Sequence, residues 1–164
     1  MRHWLLKSEP EGYGLHDLER DGITQWSGVR SFQARNNMLA MKIGDYGFFY
    51  HSSIKQPAAV GIVEIIREAY PDFTAWDKKS EYYDSRSSQG KPIWHMVDVK
   101  FVERLARPVT LAEMRAERRL GGMALLRRGQ RLSVQPLLPR EWNIIIELSA
   151  TKGADDGPNV APRL

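Results

Sequence analysis

Short apolar runs broken by glycine and proline set the pattern of this chain. His3-Trp4-Leu5-Leu6 predicts a first strand that stops at Lys7-Ser8-Glu9-Pro10, because proline cannot extend a ladder. Leu15-His16-Asp17-Leu18 fits one helical turn ended near Gly22. Ser31 is a candidate N-cap for a helix from Phe32 to about Met41. Phe32, Ala34, Met38, Leu39 and Met41 share one side of it, and Gly44 is the stop. Residues 46–51 are aromatic and β-prone, and residues 60–66 read as a second buried strand after the turn signal Gln56-Pro57. Residues 70–92 are rich in Asp, Ser, Tyr and Pro, which predicts a long loop, and long loops in compact domains tend to carry function.

In residues 93–105, Val97, Val99, Phe101 and Leu105 alternate with Asp98, Lys100 and Glu103, as in a long half-exposed strand. Thr110 and Glu113 make a capping box for a helix through about Arg118. Residues 123–126 form a short apolar turn before a basic loop at 127–131, and residues 132–135 predict a short strand. Pro139 opens a last helix through Leu148, with Trp142, Ile145 and Ile146 as its core face. Residues 150–164 have no apolar period and read as a disordered tail. Strands and short helices alternate without regular βαβ units. The expectation is α+β: one domain over residues 1–149, built as a small β-barrel with flanking helices.

Length agrees, since 164 residues suit one domain with a sizeable core. There is no cysteine, which excludes disulfides and thiolate metal sites and suits a reducing compartment. Lys7 ends the first apolar run at once, and no run approaches a membrane span. A cytoplasmic, monomeric protein without a membrane partner is expected. Net charge is +4, but its distribution says more. Between Arg104 and Arg140 stand nine arginines against Glu113 and Glu117, so this segment carries +7 and the rest −3. Arginine suits bidentate phosphate contact and stacking on bases. A solvated helix face is the other reading of such a run.

Candidate chemistry concentrates in a few places. In Gln25-Trp26-Ser27-Gly28-Val29-Arg30-Ser31-Phe32-Gln33-Ala34-Arg35-Asn36, the flexible Ser27-Gly28 turn lets the Trp26 ring line a cleft wall, and Gly28 and Val29 join it as candidates. Asn36 offers an amide to a base edge, and Arg30 and Arg35 offer charge to phosphates. Trp26 as a core anchor is the plainer alternative. Lys7, Ser8 and Glu9 at a strand end suit an anion or a polar edge, or an ordinary surface ion pair. His51 and Ser52 leave an aromatic strand at a rim. With Asp98 they suggest a triad, but no strained glycine elbow surrounds Ser52 or Ser53. His3, His16, His51 and His95 lack ligand spacing, so no metal site and no cofactor are expected. Tyr82, Tyr83 and Trp94 suit a lid over a pocket, or a cluster pinning the loop. Arg127, Arg128 and Arg131 flank Gly129 in a phosphate-sized loop, and alternation puts Ser133 and Gln135 on one face of the strand that follows.

Six segments in series resemble the EVE domain family: KSEP (7–10), WSGVRSFQARN (26–36), MKIGDYGFFYHSS (41–53), VGIVEIIREAYPD (60–72), PIWHMVDVKFV (92–102) and LLRRGQRLSVQPL (125–137), the last followed by Glu141-Trp142. The resemblance spans residues 2 to about 149. It departs where WSG stands for the family's frequent WDG and RSFQARN for RNYQARN, which keeps the aromatic and the amide. It implies a PUA-like fold, related to YTH and ASCH domains, and an association with modified bases of DNA or RNA. It implies Ser8, Trp26, Asn36, Tyr50, His51, Ser52 and Trp94 as pocket residues, with Trp26 and Asn36 holding the base as a Trp and an Asn do in YTH domains. A flipped base needs a stacking face, an edge reader and charge for its phosphates. Stacking contributes roughly 1–3 kcal/mol, and an enclosed methyl about 0.8 kcal/mol. The expected function is non-enzymatic recognition of a modified, methylated base in DNA or RNA. Two alternatives stay open: a small enzyme using Glu9, His51 or Asp98 as acid or base, and a binder of a nucleotide-like small molecule.

Overall fold

The computed structural model describes residues 1–151. The tail expected from residue 150 lies almost wholly outside them. Six strands form one mixed sheet: β1 (His3–Ser8), β2 (Ile23–Gln25), β3 (Tyr46–His51), β4 (Ala58–Pro71), β5 (His95–Thr110) and β6 (Val134–Leu137). The α-helices are α1 (Pro10–Tyr13), α2 (Leu15–Asp21), α3 (Phe32–Ala40), α4 (Leu111–Ala116) and α5 (Pro139–Ala150).

The strand order is β2-β5-β4-β3-β1-β6. β1 runs parallel to β3, and every other pairing is antiparallel. The α+β expectation holds, but the sheet is open and no barrel closes. Its outer strands, β2 and β6, have three and four residues and do not pair with each other. Short edges are one way in which a sheet resists growth.

Alternation along the central strands buries both faces of the sheet. Trp4 and Leu6 of β1 share a cluster with Leu15 and Leu18 of α2 and Ala34 and Met38 of α3. Leu5, Phe48 and Tyr50 point the other way and meet Met114 of α4 and Ile144 and Ile145 of α5. Trp142 of α5 lies flat on this second face, 4.0 Å from Phe48 and 4.4 Å from His3 between ring centroids. Buried Asp45 ties down the N-terminal edge. It accepts from the Trp4 indole Nε1 and from the backbone N–H groups of Arg2 and Lys42, each at 3.0 Å. Burial alone would raise its carboxyl pKa, but these donors outweigh burial and hold it below the usual value.

The caps behave as expected: Ser31 Oγ accepts from the Ala34 N–H, and Thr110 Oγ1 from the Glu113 N–H. Five elements differ. Pro10 opens α1 rather than simply ending a strand, since its missing N–H costs nothing in a first turn. β4 outruns residues 60–66 at both ends, and β5 starts at His95 and runs past Leu105 to Thr110, because exposed Arg67, Glu68, Ala106 and Pro108 interrupt the apolar signal. β2 is an edge strand that sequence pattern misses. β6 starts at Val134, two residues later than expected.

Candidate nucleic-acid interface

The chain crosses from the end of β2 to the start of α3 through Trp26-Ser27-Gly28-Val29-Arg30-Ser31. The Trp26 N–H donates to the Val97 carbonyl at 2.7 Å, which continues the β2–β5 direction by one bond. Gly28 then turns with φ +84°, a conformation that suits glycine. Its N–H donates to Asp72 Oδ2 at 2.8 Å. A Cβ on Gly28 would stand 2.6 Å from Cζ of Tyr82, so the bare glycine is what lets that ring lie over the turn.

Asp72, fully buried just after β4, organises this region. Its Oδ2 also accepts from Arg30 Nη1 at 3.0 Å, while its Oδ1 accepts from the Thr74 N–H and hydroxyl. Burial would raise its carboxyl pKa. The Thr74 hydroxyl, the Gly28 N–H and the Arg30 guanidinium together hold it below the usual value. Arg30 reaches on to the Tyr82 carbonyl through Nε at 3.0 Å and Nη2 at 2.8 Å. Its guanidinium sits 5.6 Å from the ring centroids of both Tyr82 and Trp94.

The result is an open cleft of about 700 Å³. One wall is Trp26, Gly28, Val29 and Arg30. Lys7, Ser8 and Glu9 at the end of β1 also line the cleft, with Gly12 and Tyr13 of α1. Ser133, Thr24 and Gln25 of β2, and Glu81 and Tyr82 complete the lining, with the Tyr82 ring lying over the Gly28 turn. Burial lowers the pKa of the Lys7 ammonium. Ser8 donates to the Tyr13 carbonyl, and Glu9 accepts from Ser53 Oγ at 3.3 Å.

A model of the EVE domain matches residues 2–148. The chain belongs to the EVE domain family. Thymocyte nuclear protein 1 of Gallus gallus is 44% identical to this EVE domain over 169 residues, covering 92% of this chain and 69% of its own. A crystal structure of the human THYN1 protein in complex with 5-methylcytosine containing DNA superposes with TM-score 0.88 at 38% identity, covering 93% and 100% of the two chains. The YTH domain of Zygosaccharomyces rouxii MRB1 shares the fold alone, with TM-score 0.51 at 16% identity. The relative's name overturns the expectation of a cytoplasmic protein, since it is a nuclear one. A cysteine-free composition separates reducing from oxidising compartments, and the nucleus is as reducing as the cytosol.

Within this EVE domain, the cleft brings together eight of the residues expected from sequence: Lys7, Ser8, Glu9, Trp26, Gly28, Val29, Arg30 and Ser133. Arg30 has another task than the expected one, because its donors are spent on Asp72, Thr74 and Tyr82 rather than free for phosphate. Asn36 is exposed on α3 outside the cleft, and its Oδ1 accepts from Arg35 Nη2 at 2.9 Å. Arg35 also donates to the Ile93 carbonyl at 3.0 Å and lies over the Phe32 ring.

Tyr50 is core on the far face of the sheet, where burial pushes its hydroxyl pKa up to about 12. His51 Nε2 accepts from the Leu15 N–H at 3.1 Å. Burial, with help from Arg104, lowers its pKa and keeps that nitrogen an acceptor. Ser52 donates its N–H to the Ser8 carbonyl, which splices β3 to the cleft edge without lining it. Trp94 is 2% exposed, stacks on Phe32 and donates from Nε1 to Asp84 at 2.8 Å, so it anchors the long loop and offers no face to a ligand. Gln135 is fully buried and donates to the Leu132 carbonyl. It parts from Ser133 because the strand begins between them, at Val134.

Of the nine clustered arginines, Arg104, Arg107 and Arg119 pair with glutamates and Arg140 donates to a backbone carbonyl. Arg127, Arg128 and Arg131 are exposed, and among the described residues their side chains make no hydrogen bond or ion pair. Their loop runs directly into Ser133 at the cleft. Tyr13, Thr24, Gln25 and Glu81 also line the cleft and escaped sequence reasoning. Only the Gln25–Trp26 adjacency hinted at them.

Proposed function

We propose that this EVE domain is a non-enzymatic reader of a methylated base in DNA, with residues 1–149 as the recognition unit. The observation that carries the reading is the cleft itself. About 700 Å³ of space is walled by an indole, a valine and a phenol, and an unpaired arginine loop abuts its rim. A single base fits a volume of that class, and its backbone then passes the loop. Support comes from the human relative, solved with 5-methylcytosine containing DNA at high structural similarity over nearly the whole chain. Tyr82, 37% exposed, supplies an open stacking face, while Trp26, 8% exposed, supplies an apolar wall. Arg127, Arg128 and Arg131 supply phosphate contacts that position the strand without reading it.

The three groups that an enzyme would use as acid or base do not act together, since Glu9 lines the cleft and His51 and Asp98 do not. His51 is committed to the Leu15 amide and Asp98 to the Tyr70 hydroxyl, while Glu9 faces Ser53. The test is fluorescence anisotropy on paired oligonucleotides, single- and double-stranded, with cytosine or 5-methylcytosine at one position and at two salt concentrations. Preference for the methylated DNA of either strandedness, with affinity falling steeply with salt, is the expected result. Equal binding of methylated and plain DNA sinks the reading.

A further inference from the structure

Gln25 ends β2, directly before Trp26, and its exposed side chain lines the cleft. Directly opposite it on β5 stands Asp98. Asp98 Oδ1 accepts from the Tyr70 hydroxyl of β4 at 2.5 Å. The Tyr70 ring is held in turn by the Arg67 guanidinium, 3.5 Å from its centroid. These three strands are neighbours in the sheet, so the chain Gln25, Asp98, Tyr70 crosses it on one face.

The hydrogen-bond directions follow from proton counting. Tyr70 has one proton and gives it to Asp98, so its oxygen has only lone pairs left. The Asp98 carboxylate is also an acceptor. An amide set opposite a carboxylate on the neighbouring strand presents its NH2 end to it, and Gln25 is among the groups that act to lower the Tyr70 hydroxyl pKa, as an N–H turned toward that oxygen does. Its carbonyl oxygen is therefore the end left for the cleft.

We propose that Gln25 Oε1 reads the exocyclic amino group of the bound base, so that the cleft accepts cytosine-type bases and rejects thymine. This rests on the base-reading function above. 5-Methylcytosine and thymine share the same methyl, so no apolar contact tells them apart. They differ where one carries an N4 amino donor and the other an O4 acceptor. A carbonyl fixed at that edge pairs with the amino group and leaves two acceptors face to face with thymine. Such a mismatch costs a factor of about ten to a hundred in affinity. Tyr70 and Asp98 are positioning residues, which set the amide's direction without touching the base.

The experiment measures anisotropy on DNA oligonucleotides identical except for cytosine, 5-methylcytosine or thymine at one position. The wild type is expected to prefer 5-methylcytosine over thymine by about tenfold or more. Gln25→Leu, at an exposed edge position, is expected to narrow that ratio to within about threefold while the preference for 5-methylcytosine over cytosine survives. Tyr70→Phe combined with Asp98→Asn frees the amide to turn, so the same ratio narrows with Gln25 still present. An unchanged thymine ratio in Gln25→Leu overturns the inference, as does a wild type that binds the 5-methylcytosine and thymine strands alike. A wild type with no preference for 5-methylcytosine over cytosine instead overturns the base-reading function, and this inference falls with it.

Discussion

Replacing Asp72 by asparagine tests the hub that shapes the cleft. Asp72 accepts four hydrogen bonds, two at each carboxylate oxygen. In the Asp72→Asn variant one oxygen becomes an NH2 donor, which meets two N–H donors if it turns to Gly28 and Arg30 and one, the Thr74 N–H, if it turns the other way. Hydrogen bonds to a charged acceptor contribute about 1.5–3 kcal/mol each. Arg30 also loses its counter-charge. Its side chain is 22% exposed and still bonds the Tyr82 carbonyl, so water and that carbonyl offset part of the loss. The expected net cost is about 3 kcal/mol, or roughly 6–12 °C in Tm for a domain of this size. Urea titration and thermal melts followed by circular dichroism measure it. The Gly28 turn and the Tyr82 backbone hang from the same carboxylate, so affinity for methylated DNA should also fall about tenfold while the protein remains folded at 25 °C. A shift below about 1 kcal/mol with DNA binding intact refutes the hub.

Acid sensitivity follows from the same group and from Asp45. Both carboxyl pKa values lie below the ordinary value in the folded state, so their stabilisation is complete above the unfolded value of about 3.9 and is lost as pH falls through the folded ones. Melts across pH 2–7 should show stability dropping below about pH 4, and Asp72→Asn should flatten that limb. Gly28→Ala forces a side chain into positive φ and against the Tyr82 ring. It is expected to cost about 1–2 kcal/mol in urea melts and to weaken binding to methylated DNA. Arg127→Ala with Arg131→Ala should leave Tm unchanged, weaken cytosine and 5-methylcytosine strands equally, and lower the salt slope by about 2. Asn36→Ala, exposed outside the cleft, should leave the methyl preference unaltered in the same anisotropy assay.

The parts of this fold that read clearly in the sequence are those where one physical signal acts alone. β1 and β3 stand out because each carries an unbroken buried run, Trp4-Leu5-Leu6 and Gly47-Phe48-Phe49-Tyr50, as expected of strands buried on both faces. The caps at Ser31 and Thr110 are local chemistry and hold. β2 is hidden because three residues, mostly exposed, carry no period. The open sheet is hidden because closure depends on how edge strands meet, and β2 and β6 are far apart in the chain. At the site, KSE and WSGV were legible as polar and aromatic residues at strand ends. The engagement of Arg30 with Asp72 was not, since that partner lies 42 residues away and its burial cannot be inferred from composition. Tyr50 and Trp94 look like ligand-facing aromatics in one dimension and are core and anchor in three.

The placing of β1 has a consequence for how the molecule comes into being. Of the six strands of this sheet, the earliest in the chain pairs with β3 on one side, yet its other side waits for β6, the latest of the six. Until residue 137 has left the ribosome, β1 is an unpaired apolar edge, open to other chains. Ser133, which lines the cleft, arrives just ahead of that strand. A nascent chain cut short before it would lack both the seal on its sheet and one side of its cleft, so completion of the sheet and competence to bind are reached in the same step.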